Sequence, residues 1–119
     1  MIVDENQKIE LFDKFYDWLK ADGLKPKVSE RLHKKKIFAS LLANDQMTLD
    51  NFIDFLEDIK IQNIKSLQNQ TMNYQNQLFY IDEVVVNKNL EEFILKNLAS
   101  NINIKCKFNQ IQIIKKMIA

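Results

Sequence analysis

The sequence predicts an α+β fold: an N-terminal three-helix bundle packed on a small C-terminal β-α-β-β unit that ends in an antiparallel hairpin. Three observations carry this prediction. Apolar residues recur at helical spacing through residues 1–67. Residues 68–77 hold seven Asn and Gln in ten, a polar break that reads as a connector. Beyond it the pattern shortens and begins to alternate, as strands do. The 119 residues fit one domain, 1–119, with a helical part (1–67), a connector (68–77) and a β-α-β-β part (78–119).

The first helix is expected over residues 4–22. Asp4 is placed to cap it, with Gln7 three residues on completing a capping box. Ile9, Phe12, Phe15, Tyr16, Trp18 and Leu19 form its apolar stripe, and Gly23, the only glycine, fits a left-handed C-terminal cap. Pro26 suits the first turn of a second helix running to about Asn44, with Val28, Leu32, Phe38, Leu41 and Leu42 on its buried side. A third helix begins at Thr48, where Met47 and Phe52 are spaced for a hydrophobic staple. Leu49, Phe52, Ile53, Leu56 and Ile59 line its inner face, extended by Ile64 and Leu67, while Asp50, Asp54, Glu57 and Asp58 face outward.

In the C-terminal part, Leu78 to Val86 reads as a strand. Asn89-Leu90-Glu91-Glu92 reads as a capping box opening a short helix to about Ala99. Ile102, Ile104, Cys106 and Phe108 alternate with Asn103, Lys105 and Lys107. A turn at Asn109-Gln110 would fold residues 111–116 back on this strand.

Charge is sorted into blocks although the total is only +1. Residues 1–22 carry net −3, 25–36 net +5, 45–60 net −4, 82–92 net −3 and 96–116 net +5. The candidate nucleic-acid-binding residues are therefore Lys25, Lys27, Arg31, Lys34, Lys35 and Lys36 on the second helix with Lys105, Lys107 and Lys116 near the C-terminus. If the two groups converge they form a phosphate-tracking groove. The competing reading pairs these cations with the acidic helices or leaves them as solubilising charge. Across Lys34-Lys35-Lys36 the helical arc is wide enough that one lysine must snorkel along the apolar edge.

Little catalytic chemistry is available. One glycine excludes glycine-rich phosphate loops, and one His with one Cys cannot build a zinc site. No catalytic residue, metal or cofactor is expected. His33 reads as a surface residue and Cys106 as an inert core thiol. The acids Asp54, Glu57 and Asp58 read as a solvated helix face before they read as a cation site. The single cysteine, the acidic N-terminus and the lack of any long apolar run point to a cytoplasmic protein with no membrane partner.

Two resemblances are visible. The run Phe12-x-x-Phe15-x-x-Trp18-Leu19-x-x-x-Gly23-Leu24-x-Pro26-Lys27 resembles the opening helices of the core-binding domain of tyrosine recombinases, without that family's catalytic domain. The C-terminal strand, helix and hairpin are similar to part of a winged-helix domain that lacks one helix and has a very short wing. Neither resemblance carries site residues over.

The functional expectation is a small non-enzymatic protein that binds nucleic acid, DNA or RNA, through two lysine-rich patches, of the kind a phage or plasmid carries. The alternative is an inhibitor or immunity-type protein that docks on a nuclease or polymerase, its acidic helices imitating phosphate.

Overall fold

In the computed structural model, residues 4–86, 92–107 and 110–118 are described, Lys107 by its backbone alone. Helix α1 spans Glu5–Ala21. The capping box is present: Asp4 Oδ1 accepts from Gln7 N at 2.8 Å, and Gln7 Oε1 accepts from Asp4 N at 3.0 Å. The helix ends as its glycine demands. Gly23 sits at φ +95°, Gly23 N donates to Lys20 O, and Leu24 N donates to Leu19 O. A Cβ on Gly23 would lie 2.9 Å from Met72 Cε and 3.4 Å from Asn73 O, so this glycine also permits a close approach.

Helix α2 spans Val28–Ala43, with Lys27 as an N-cap that makes no side-chain hydrogen bond. Pro26 therefore lies just ahead of the helix and not in its first turn. Asp45, at φ +53°, closes the helix with Gln46 N donating to Leu41 O. The expected buried side is corrected at its start. Phe38 and Leu42 are buried, but Val28 is 74% and Leu32 57% exposed. At 100° per residue Leu32 lies about 120° around the helix from Phe38, so one stripe cannot hold both. Helix α3 spans Leu49–Lys65, capped by Thr48 Oγ1, which accepts from Asn51 N at 3.1 Å.

The C-terminal half is α+β, as expected, but its element order differs. The Asn/Gln-rich segment is not only a connector. It holds β1 (Thr71–Tyr74) and the turn into β2 (Gln77–Tyr80). Gln75 and Asn76 both have positive φ, the backbone a two-residue hairpin turn requires. The single strand expected over 78–86 is two, β2 and β3 (Glu83–Val86). The segment expected to be helical is strand β4 (Glu92–Asn97); Asn89, Leu90 and Glu91 of its supposed capping box lie outside the described residues. Phe93 and Leu95 point inward from β4 because they pair with Cys106 and Ile104 of β5 (Ile102–Lys107) and with Val86 and Val84 of β3. That non-local pairing outweighs a local helix-start signal. The hairpin therefore joins β4 to β5, not β5 to residues 111–116. Phe108 and Asn109 of the expected turn lie outside the described residues. Residues Gln110–Ile118 form α4, whose buried Ile111, Ile114 and Ile118 recur at helical spacing. The winged-helix likeness lapses with these changes.

The core starts from aromatic rings between α1, α2 and α3. Phe12 and Phe38 stack at 5.0 Å, and Phe38 also meets Phe52 and Phe55 at 5.6 and 5.7 Å. Helix α4 packs on α1 and α3, and β3 packs on α3. The inner face of the antiparallel sheet β3-β4-β5 contributes Phe93, Leu95 and Cys106 to the same core. The molecule measures 49 × 29 × 23 Å, drawn out along one axis.

Candidate binding surfaces

The cations of α2 do not stand together. Arg31 turns toward α1, where its guanidinium lies 3.2 Å from Asp17 Oδ1 and 3.7 Å from Asp13 Oδ1, and 5.2 Å from the centre of the Tyr16 ring. Lys35 Nζ lies 3.1 Å from Asp13 Oδ2. Lys34 Nζ approaches the Phe55 ring at 6.0 Å, snorkelling along the α2–α3 seam. Lys25 Nζ donates to Thr71 O at 3.1 Å. Lys27 and Lys36 are exposed and meet no carboxylate among the described residues.

The C-terminal cations are placed elsewhere. Lys105 Nζ lies 3.3 Å from Glu92 across the sheet, and the Lys107 side chain lies outside the described residues. Lys116 lines a groove of about 460 Å³ with Gln7, Glu10, Leu11 and Lys14. Its neighbour Lys115 lies 3.8 Å from Glu57 of α3. Helix α4 thus docks on α1 along Gln7, Leu11, Lys14 and Trp18, while α2 docks along Phe12, Asp13 and Asp17. Successive residues of a helix point 100° apart, so the two basic segments occupy different flanks of α1.

The acids behave differently. Asp13 and Asp17 of α1 are engaged by α2 and Glu10 by Lys14 of its own helix, whereas Asp50, Asp54 and Asp58 of α3 are exposed and form no ion pair among the described residues. Their four-residue spacing sets them in one row about 6 Å apart. Two shallow grooves flank the row. One, about 580 Å³, has Leu49, Ile53 and Ile118 in its lining; the other, about 400 Å³, has Leu41, Met47 and Phe55.

Three buried polar features were not foreseen. Lys60, Asn63 and Gln110 are all buried. Asn63 Nδ2 donates to Ile59 O at 2.9 Å, and Gln110 Nε2 donates to Asp22 Oδ2. Burial raises the Asp22 carboxyl above its ordinary value, against the lowering pull of Gln110 and Lys60. A signal for Lys60 existed: it lies four residues from both Leu56 and Ile64, inside the apolar stripe. Burial pushes the Cys106 thiol up to about 11, which keeps it a thiol near neutral pH. Burial and Glu30 push the Tyr16 phenol up to about 12, and its hydroxyl has no hydrogen-bond partner among the described residues.

No group of three or more His, Cys, Asp or Glu able to hold a metal ion, and no helix long and apolar enough to cross a membrane, occurs among the described residues. No protein-family model, curated protein or solved structure matches the chain.

Proposed function

We propose that this chain is a non-enzymatic protein-binding protein, of inhibitor or immunity type, that docks on a basic surface of a nucleic-acid-processing protein through the outer face of α3. One contrast carries the reading. Folding engages the cations Arg31 and Lys35 with Asp13 and Asp17, yet leaves Asp50, Asp54 and Asp58 as a contiguous exposed row. An acid row beside grooves whose mixed linings include Leu41, Leu49, Ile53 and Phe55 offers steering charge and some apolar burial together, which is how protein interfaces combine on-rate with affinity. The nucleic-acid reading rests on Lys25, Lys27, Lys34, Lys36 and Lys116, which meet no carboxylate among the described residues. Those on or just before α2 and Lys116 on α4 lie on different flanks of α1, and the groove that Lys116 lines also holds Glu10.

The test pairs two variants. Asp50→Asn/Asp54→Asn/Asp58→Asn should lose a partner that the wild-type chain captures from its own cells, while Lys27→Gln/Lys36→Gln should retain it. Fluorescence anisotropy with generic duplex DNA and RNA at low salt, where phosphate contacts are strongest, should show no binding. Binding to either nucleic acid that disappears in the lysine variant would reverse the assignment.

A further inference from the structure

The outer edge of β2 is an unguarded strand edge. The two-residue turn at Gln75 and Asn76 makes Tyr74 and Gln77 a hydrogen-bonded pair. Alternation along the ladder then makes Met72–Phe79 the next such pair and Gln70–Ile81 the one after. Ile81 N does donate to Gln70 O, at 2.9 Å. At the intervening residues, Thr71 and Asn73 on β1 and Leu78 and Tyr80 on β2, backbone N–H and C=O groups point away from the partner strand.

The two outer edges are treated differently by the rest of the chain. On the β1 side, Lys25 Nζ donates to Thr71 O, and the Gly23 backbone comes close to Asn73 O. On the β2 side, the N–H and C=O groups of Leu78 and Tyr80 have no partner among the described residues. The Leu78 side chain is 72% exposed and the Tyr80 side chain 46%, both on the same face of the strand. Natural strand edges are usually blunted by charge, proline or a bulge. Here no charged residue occurs from Ser66 to Ile81. The three-stranded sheet, by contrast, carries Glu83 on β3 and Lys105 on β5, its two outer strands.

We propose that β2 is a self-association edge, at which a second copy of this chain pairs its own β2 antiparallel to form a four-stranded sheet β1-β2-β2-β1. The edge matches itself. Leu78 and Tyr80 stand two residues apart, so Leu78 of one copy opposes Tyr80 of the other in a hydrogen-bonded pair, and the reverse pair follows by symmetry. Four backbone hydrogen bonds form, and two Leu–Tyr cross-strand contacts close over one face. A neutral segment meets its copy with no like-charge repulsion. Lys25 already occupies Thr71 O and Gly23 stands beside Asn73 O, so the outer edge of β1 is the less open of the two and a dimer is favoured over a fibre. Two four-residue strands bury less than the ~1,200 Å² of a stable interface, so the dissociation constant falls between about 1 μM and 1 mM. This surface is separate from the acid row of α3, and its test is independent of that reading.

Sedimentation velocity over a concentration series, with amide hydrogen exchange on the same samples, decides the matter. The wild-type chain should dimerise as concentration rises. The Leu78 and Tyr80 amides should slow in step, while the Phe79 amide, already bonded to β1, should not change. Leu78→Pro removes an N–H that points outward, so it spares the β1–β2 ladder and should weaken the dimer about tenfold or more. Tyr80→Lys, at an exposed position, should abolish the dimer by placing charge on the neutral edge. A chain that stays monomeric to about 1 mM overturns the proposal. So does a dimer that forms while the Leu78 and Tyr80 amides remain in fast exchange, or one that Tyr80→Lys leaves intact.

Discussion

Helices α2 and α3 have nearly the same length and both pack on α1, but they are held differently. Helix α3 buries Phe52, Leu56, Ile59 and Ile64 along its whole inner face and starts from a side-chain cap. Helix α2 buries only Phe38 and Leu42, both in its C-terminal half, and starts uncapped. Its N-terminal half is tied to α1 by Arg31 and Lys35, whose partners Asp13 and Asp17 are substantially exposed. Exposed pairs of this kind are worth about 0–1 kcal/mol each, against about 1.5–3 kcal/mol for each fully buried large apolar side chain. Charge that is sorted along the chain need not mark a ligand site; here much of it orients one weakly buried helix.

The largest effect should come from removing the larger of the two buried anchors of α2. Phe38 touches Phe12, Phe52 and Phe55, so Phe38→Ala should cost about 3–5 kcal/mol in urea unfolding. Leu56→Ala in α3 should cost about 2–5 kcal/mol, but its neighbours Phe52 and Ile59 would still hold that helix in place. If α2 is as sparsely anchored as Phe38 and Leu42 alone would make it, Phe38→Ala should also raise amide exchange throughout residues 28–37. Leu56→Ala should show no such local opening. Equal exchange in the two variants would break the contrast.

A second effect probes the α1–α2 seam through Tyr16. Its phenol is raised from 10.0 to about 12, so the folded chain holds this proton more tightly than the unfolded chain. The resulting stability is fully present below pH 10 and is lost as pH rises toward 12, a change of about 2–3 kcal/mol. Cys106, raised from 9.0 to about 11, adds a separate loss beginning near pH 9. The Tyr16 share is therefore the difference between wild type and Tyr16→Phe across an alkaline stability series. Near neutral pH the same variant should be neutral or more stable, because it removes a buried hydroxyl that has no partner among the described residues. A loss of stability at pH 7 in Tyr16→Phe would show that the hydroxyl is hydrogen-bonded after all.

How much of this was legible in the sequence depended on how local each cause was. The cap of α1 by Asp4 and Gln7, the glycine stop at Gly23 and the start of α3 at Thr48 each depend on residues within four positions, and all three were readable. The strand at Glu92–Asn97 was not, because Phe93 and Leu95 become strand residues only by pairing with Cys106 and Ile104. Ile111 and Ile113 fit a period of two while Ile111, Ile114 and Ile118 fit a period of 3.6, so a short apolar run could not separate α4 from a hairpin strand. The candidate cations were legible as residues but not as a surface. Arg31 and Lys35 find their acids 14 to 22 positions away, on the flank of another helix. Lysine count and spacing carry no information about that flank.

The smallest effect concerns the helix starts, where α2 and α3 differ by one side chain. Thr48 caps α3, so Thr48→Ala should destabilise by about 1 kcal/mol. Lys27 stands at the same position of α2 in an extended conformation, φ −72° and ψ 137°, with no side-chain hydrogen bond and a positive charge at the positive end of the helix dipole. Glu30, three residues on, is already where a capping box needs it. Lys27→Ser should therefore stabilise the chain by about 0.5–1 kcal/mol, the opposite sign from Thr48→Ala, and should slow amide exchange at Ser29 and Glu30. The pair can be read by urea midpoint at fixed salt. If Lys27→Ser shifts nothing, the loose hold on the start of α2 comes from the outward placement of Val28 and Leu32, not from the missing cap. Val28→Ser and Leu32→Ser should then cost little, since Val28 is 74% and Leu32 57% exposed.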